Sequence, residues 1–253
     1  MLKRIAVVGK NTRLQKAAAE ASRSKEVAVV RVDPREELPP ATAVVIAGSS
    51  EISVAVEAAL VLGERHEQLL LLLAEAIDCR EAFMPGSSVR VQDLATSFAR
   101  ALGLNADDQL TLERGALVRD IGKLKIPNEI LLKDALLTYD EWDTIRQHTN
   151  LGANLVLVTD VLKDTVDIVR YHHECFDGSG YPEGLEREKI PLPARIMKIL
   201  DVYCAMTSPR HYRERTSSRE QALAHLQDEV GKQFDPELVR VFVEASLGET
   251  NTS

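Results

Sequence analysis

From residue 84 onward the chain repeats one pattern in segment after segment, apolar residues spaced for a single helix face, and that series commits it to a bundle of helices. Val91, Leu94, Ala95, Phe98 and Leu102 mark one such face, and a second segment runs over residues 107–118. Thr138-Tyr139-Asp140-Glu141 has the form of a capping box and places Trp142, Ile145, His148 and Gly152 inward on the helix it starts. Residues 161–173, 193–206, 217–230 and 236–247 supply further helices, with Thr216-Ser217-Ser218 and Asp235-Pro236 as start signals. Apolar residues make up 45% of the chain but aromatics only 4%, so the core must be built from Ala, Leu, Val and Ile, which suits helix-on-helix packing.

The N-terminal part reads differently. Residues 5–9, 27–32 and 43–48 are short β-branched runs with a helix-forming stretch over 13–22 between the first two, a small α/β module over residues 1–52. It resembles a truncated response-regulator receiver, but Gly9-Lys10-Asn11-Thr12 lacks an acidic pair and Gly48-Ser49-Ser50 offers no phosphoacceptor. A structural or dimerising role is therefore expected for it, not phosphorelay input. Residues 53–83 read as one connecting helix that either dimerises or lies on its own domain, with the run over 69–73 buried and His66 in solvent. The expected fold class is thus α+β overall: the α/β module, the connecting helix, an all-α bundle over 84–247 and a frayed tail over 248–253.

The formal charge of −8 argues against DNA as a partner, since broad nucleic-acid binding rests on phosphate neutralisation, and leaves room for a small anionic ligand at a local basic cluster. Cys79, Cys175 and Cys204 form neither a CxxC motif nor an even disulfide framework, which fits a reducing cytoplasm. No membrane association is expected, because no stretch approaches the ~18 apolar residues of a span.

The chemistry-bearing residues fall in the helical part. Asp120, His148, His172, His173 and Asp201 each sit on or at the end of an expected helix, and side chains facing inward from several helices are how bundles assemble metal sites. Around them stand Asp120-Ile121-Gly122-Lys123, the run His172-His173-Glu174-Cys175-Phe176-Asp177-Gly178-Ser179-Gly180-Tyr181-Pro182, Ile190-Pro191-Leu192-Pro193-Ala194-Arg195, Arg210 with Tyr212-Arg213, and Gln233-Phe234-Asp235-Pro236. Over residues 68–247 this ordered series resembles the HD-GYP branch of the HD-domain metal-dependent phosphohydrolases. The resemblance implies a compact helical bundle in a family whose active members use two or three metals, often iron or manganese, to cleave the bacterial second messenger cyclic di-GMP. It implies Asp120, His148, His172, His173 and Asp201 as metal ligands, with Asp120 and Lys123 as catalytic residues and Lys123 at the scissile phosphate. Tyr181, Arg210 and Arg213 would bind the ligand, and the 178–182 loop would also meet partners such as GGDEF-domain proteins.

Two departures from the family pattern bear on activity. Ser87 stands at the position of the first metal histidine, and Arg119 replaces the histidine of the His-Asp pair; Cys204 stands for an Asp. With two imidazoles gone, either no metal or one divalent iron or manganese ion is expected and a dinuclear centre is not. Arg119, a permanent cation beside Asp120, is expected either to pair with Asp120 or Asp201 as a surrogate for the missing metal or to point into solvent at a decayed site. Cys204 is expected in the core. The leading reading is a degenerate HD-GYP protein that binds cyclic di-GMP or a partner protein with catalysis lost or weak. The alternatives are an active phosphodiesterase with a mononuclear site and a purely structural protein that dimerises.

Overall fold

The computed structural model describes residues 52–80, 86–208 and 216–248, and the side chains of residues 66–80, 86–208 and 216–247. The chain divides into two units, residues 1–69 and 70–253. The expected α/β module over 1–52, the phosphoacceptor positions, Arg210, Arg213 and the end of the tail lie outside the described residues. In the first unit the described residues are helical, as part of α1 (Ile52–Arg80).

The second unit is built from the rest of α1 and nine further helices among the described residues. They are α2 (Ser87–Ala101), α3 (Ala106–Val118), α4 (Asn128–Leu131), α5 (Tyr139–Arg146), α6 (His148–Val156), α7 (Val166–Tyr171), α8 (Leu192–Thr207), α9 (Arg219–Asp228) and α10 (Pro236–Gly248). Short 3-10 turns at Ile121–Lys125, Lys163–Thr165 and Arg187–Lys189 link them. No strands occur among the described residues, only isolated bridges at Asp177–Glu186 and Val230–Phe234. No described helix is long and apolar enough to cross a membrane.

Local sequence sets the helix starts. Asn105 caps α3 by accepting from the N–H groups of Asp107 and Asp108, and Thr138 with Glu141 and Ser218 with Gln221 close capping boxes on α5 and α9. The bundle then buries two clusters. One gathers Val91, Phe98, Leu112, Ile168, Met197, Leu200 and Phe242; the other holds Leu70, Ala74, Ile77, Leu117, Val118, Val156 and Val169. α3 and α7 each contribute to both, through Leu112 and Leu117 and through Ile168 and Val169. Arg119 and Asp120 leave α3 beside this seam, which is why the polar site sits between two dry walls.

Three expectations need correction. The run over 69–73 is not buried: Leu70 is in the core, but Leu69, Leu71 and Leu72 are exposed, because α1 is covered along only one stripe, the one that also carries Ala74 and Ile77. The segment after Thr138 is two helices meeting at Gln147, so Trp142, expected inward, lies 49% exposed while His148 and Gly152 remain buried. The helix expected over 161–173 is shorter, because the 3-10 turn at Lys163–Thr165 precedes α7.

Candidate metal centre

Asp120 stands at the head of the 3-10 turn, His148 is the first residue of α6, and His172 and His173 end α7. What lets these ends meet is Gly122. A Cβ there would lie 1.8 Å from the His148 carbonyl oxygen and 2.6 Å from the Gly152 nitrogen, so only glycine admits the turn this close to α6. One ligand atom from each of Asp120, His148, His172 and His173 falls within 4.8 Å of the others.

The imidazoles are oriented from behind. His148 Nδ1 lies 2.8 Å from the Ile145 carbonyl, and His172 Nδ1 lies 3.0 Å from that of Ile168, so each Nδ1–H donates to the backbone and each Nε2 keeps its lone pair. Those Nε2 atoms sit 3.5 and 3.8 Å from Asp120 Oδ1. Burial, opposed in part by the Asp120 carboxylate, pushes the His172 pKa down to about 4, and burial likewise holds His173 well below its ordinary value. Both are neutral donors at neutral pH. Burial works against the Asp120 charge, but Lys123 and then Arg119 outweigh it and hold its carboxyl well below the usual range.

These residues fit a divalent transition metal. His172 Nε2 is buried and has no hydrogen-bond partner among the described residues, a lone pair left for a ligand. Three imidazoles, those of His172 and His173 held neutral by burial, and one ionised carboxylate are a donor set suited to a divalent transition metal.

The other side of Asp120 is different. Arg119 is 4% exposed, not turned to solvent. Its Nε lies 2.8 Å from Asp201 Oδ1 and 3.4 Å from Asp120 Oδ2. Its Nη1 donates to the Ala116 carbonyl at 2.7 Å and to Ser88 Oγ at 3.4 Å. Ser88 Oγ donates in turn to Asp78 at 2.7 Å, and the Ser88 N–H donates to the same carboxylate at 2.9 Å. Burial opposes the guanidinium charge, while Asp201 and Asp120 hold its pKa above the ordinary arginine value. Asp201, expected among the ligands, is therefore engaged by Arg119 and stands outside the four-residue donor group. A cavity of about 70 Å³ opens here, lined by Ser87, Arg119, Lys123, Asp201 and Cys204 among others, with Lys123 Nζ 2.9 Å from Asp120 Oδ1. Cys204 is buried and belongs to the first core cluster, as expected.

Asp78 and Ser88 had no assigned role in the sequence; the available signal was an acidic residue next to Ile77 on the covered stripe of α1. Tyr181 lies against the donor group. Its ring stacks on His173 with centroids 4.8 Å apart and planes 22° apart, and the guanidinium carbon of Arg146, the last residue of α5, lies 5.5 Å from the ring centroid. Arg146 also went unnoticed in the sequence.

A helical bundle that turns three histidines and an aspartate into one buried pocket defines a candidate metal-binding helical domain. The HD-domain family model matches residues 72–238, and the chain belongs to that family, as its HD-GYP-like motifs led one to expect. It is 37% identical over 178 residues to the cyclic di-GMP phosphodiesterase response regulator RpfG of Xanthomonas campestris, covering 70% of this chain and 47% of that protein. It is 38% identical over 184 residues to the cyclic di-GMP phosphodiesterase PA4108 of Pseudomonas aeruginosa, covering 72% and 43%. The chain thus spans less than half the length of these two relatives. A crystal structure of a cyclic GMP-AMP specific phosphodiesterase of Vibrio cholerae shares the fold at a TM-score of 0.54 and 20% identity, over 72% of this chain and 48% of that one.

Proposed function

We propose that the helical domain binds a cyclic dinucleotide, cyclic di-GMP first among candidates, at a site that takes no more than one divalent iron or manganese ion, with turnover lost or weak. The observation that carries this is Arg119, buried between Asp201 and Asp120 while His148, His172, His173 and Asp120 stay grouped beside it. A bound metal would supply Lewis acidity and a water of lowered pKa. On the proposed reading Asp120, His148, His172 and His173 hold it, and Asp201 is given over to Arg119.

Lys123 would contact the phosphodiester, where its ammonium offsets the phosphate charge from the Asp120 side. Arg119 stabilises the same charge from a fixed position without activating water, because a guanidinium has no exchangeable water to ionise. Tyr181, with Arg146 beside its ring, would line the ligand, and Arg210 and Arg213 would add basic contacts. The 178–182 loop is proposed as the surface that meets a GGDEF-domain partner, and α1 as the element of a possible homodimer. The activities for which the relatives are named and the four-residue donor group also support a second reading, an active mononuclear phosphodiesterase.

Calorimetry with cyclic di-GMP, and hydrolysis assayed on the same protein loaded with manganese or ferrous iron, tests the proposal. Saturable binding with no release of linear pGpG or GMP is the expected outcome. Efficient release would establish the second reading. Binding of neither metal nor nucleotide by a stable dimer would leave only a structural role.

A further inference from the structure

The 174–185 loop is fastened at its base by a side chain to which neither the motif nor the donor group gives a role. Glu174 directly follows His173 and is 1% exposed. Its Oε1 accepts the Glu183 N–H at 2.8 Å and its Oε2 accepts the Leu185 N–H at 3.2 Å, so one buried carboxylate spans both ends of the loop. A charged acceptor with two backbone donors is stronger than a neutral pair, and burial makes its loss costly. Two further contacts reinforce the closure. Tyr181 N–H donates to the His173 carbonyl at 3.4 Å, and a Cβ at Gly180 would meet the Cys175 nitrogen at 2.3 Å, so the chain there has no room for a side chain. On the outside, Glu183 pairs with Arg170 of α7 at 2.8 Å and accepts from the Tyr171 hydroxyl at 3.3 Å. The loop is therefore tied to the helix that ends in the histidine pair.

We infer that Glu174 is a positioning residue, a clamp that seats the Tyr181 ring on His173 and so sets the direction in which the His173 imidazole faces the donor group. The His173 ring has its neighbours in three rings, Tyr181, His172 and His148. Of these only Tyr181 comes from the loop, and Glu174 fixes where the loop returns. The consequence for metal affinity rests on the proposed function above. The clamp itself does not, because it is a property of the metal-free chain.

The experiment uses the full 253-residue chain, metal-free and labelled at histidine, with Glu174→Gln. Glutamine keeps the shape but offers one carbonyl acceptor where two N–H donors must be met, and it turns an amide N–H₂ toward the other. Stacking on Tyr181 moves the His173 ring protons upfield in the wild-type spectrum, with the signal assigned by His173→Gln. In Glu174→Gln that upfield shift is expected to collapse while the His148 and His172 signals hold. The Glu183 and Leu185 amides should lose about ten-fold or more of their hydrogen-exchange protection. An unmoved His173 signal beside two deprotected amides overturns the clamp, and so do amides that stay protected. Should the glutamine variant fail to fold, Glu174→Asp, which keeps the charge but retracts it by one methylene, is read by the same two signals. A fall in metal affinity of about ten-fold in the folded variant is the functional consequence. Wild-type protein that binds no metal would overturn the metal-affinity consequence alone and leave the ring-proton result to decide the clamp.

Discussion

Asp120 divides its pocket into two halves that solve the same electrostatic problem in different ways. On one side three imidazoles gather beside Asp120, and His172 keeps a buried Nε2 with no hydrogen-bond partner among the described residues, a half with a donor set that could hold a cation. On the other, Arg119 already lies against Asp201 and Asp120, held by Ser88 and the Ala116 carbonyl, a half that carries its own cation. The difference teaches that a buried acidic pocket can be held together from within the chain. One guanidinium can offset the charge of two neighbouring carboxylates without a bound ion.

The strongest way to break this comparison is to remove the built-in cation. Arg119→Met leaves Asp201 and Asp120 without their buried partner and is expected to cost roughly 3–5 kcal/mol in urea unfolding, as removal of one member of a buried pair does. A cost near that of a surface pair would mean that Arg119 does not hold this half together. The histidine half answers to acid instead. His172 has a folded pKa of about 4, below its ordinary value of 6.5, so the unfolded chain takes up the proton first. Stability of the metal-free protein should therefore be full above pH 6.5 and fall by on the order of 3 kcal/mol as pH drops to about 4, with His173 acting in the same direction. Asp120, whose pKa is lowered, contributes at more acidic pH, where its stabilisation is lost as pH falls below its ordinary value and through its folded one. Urea midpoints across pH 7 to 4 check this, and His172→Gln should flatten the slope.

Smaller effects sharpen the geometry. Gly122→Ala places a methyl group against the His148 carbonyl and should cost about 1–3 kcal/mol by overpacking, with weakened metal binding because the turn that carries Asp120 must shift. Trp142→Ser should change stability by less than about 0.5 kcal/mol, since that ring is half exposed on α5 outside both cores. A large loss there would restore the inward placement that the capping-box periodicity suggested.

How far the sequence could be read follows from which signals are local. Helix starts at Asn105, Thr138 and Ser218 depend on the residues within one turn, and those at Thr138 and Ser218 were legible. The set Asp120, His148, His172 and His173 was legible because motif order carried it, although Gly122 is the reason those helix ends can touch. The placement of Asp201 against Arg119 depends on a contact between residues 82 positions apart, so only the alternatives could be stated in advance. The supports from Asp78, Ser88, Glu174 and Arg146 were missed for the same reason. A polar residue's role in a core depends on what folds against it, and no spacing rule encodes that. The inward reading of Trp142 and of the run over 69–73 failed because apolar character marks what can be buried, not which stripe of a helix finds a neighbour.

The most direct test of the central claim is the metal stoichiometry of anaerobically reconstituted protein, read by native mass spectrometry beside Arg119→His with Ser87→His. The account predicts no more than one metal per wild-type chain, held at the Asp120, His148, His172 and His173 half, and a second metal only when both histidines are introduced. Two metals bound by the wild-type chain with Arg119 in place would contradict it.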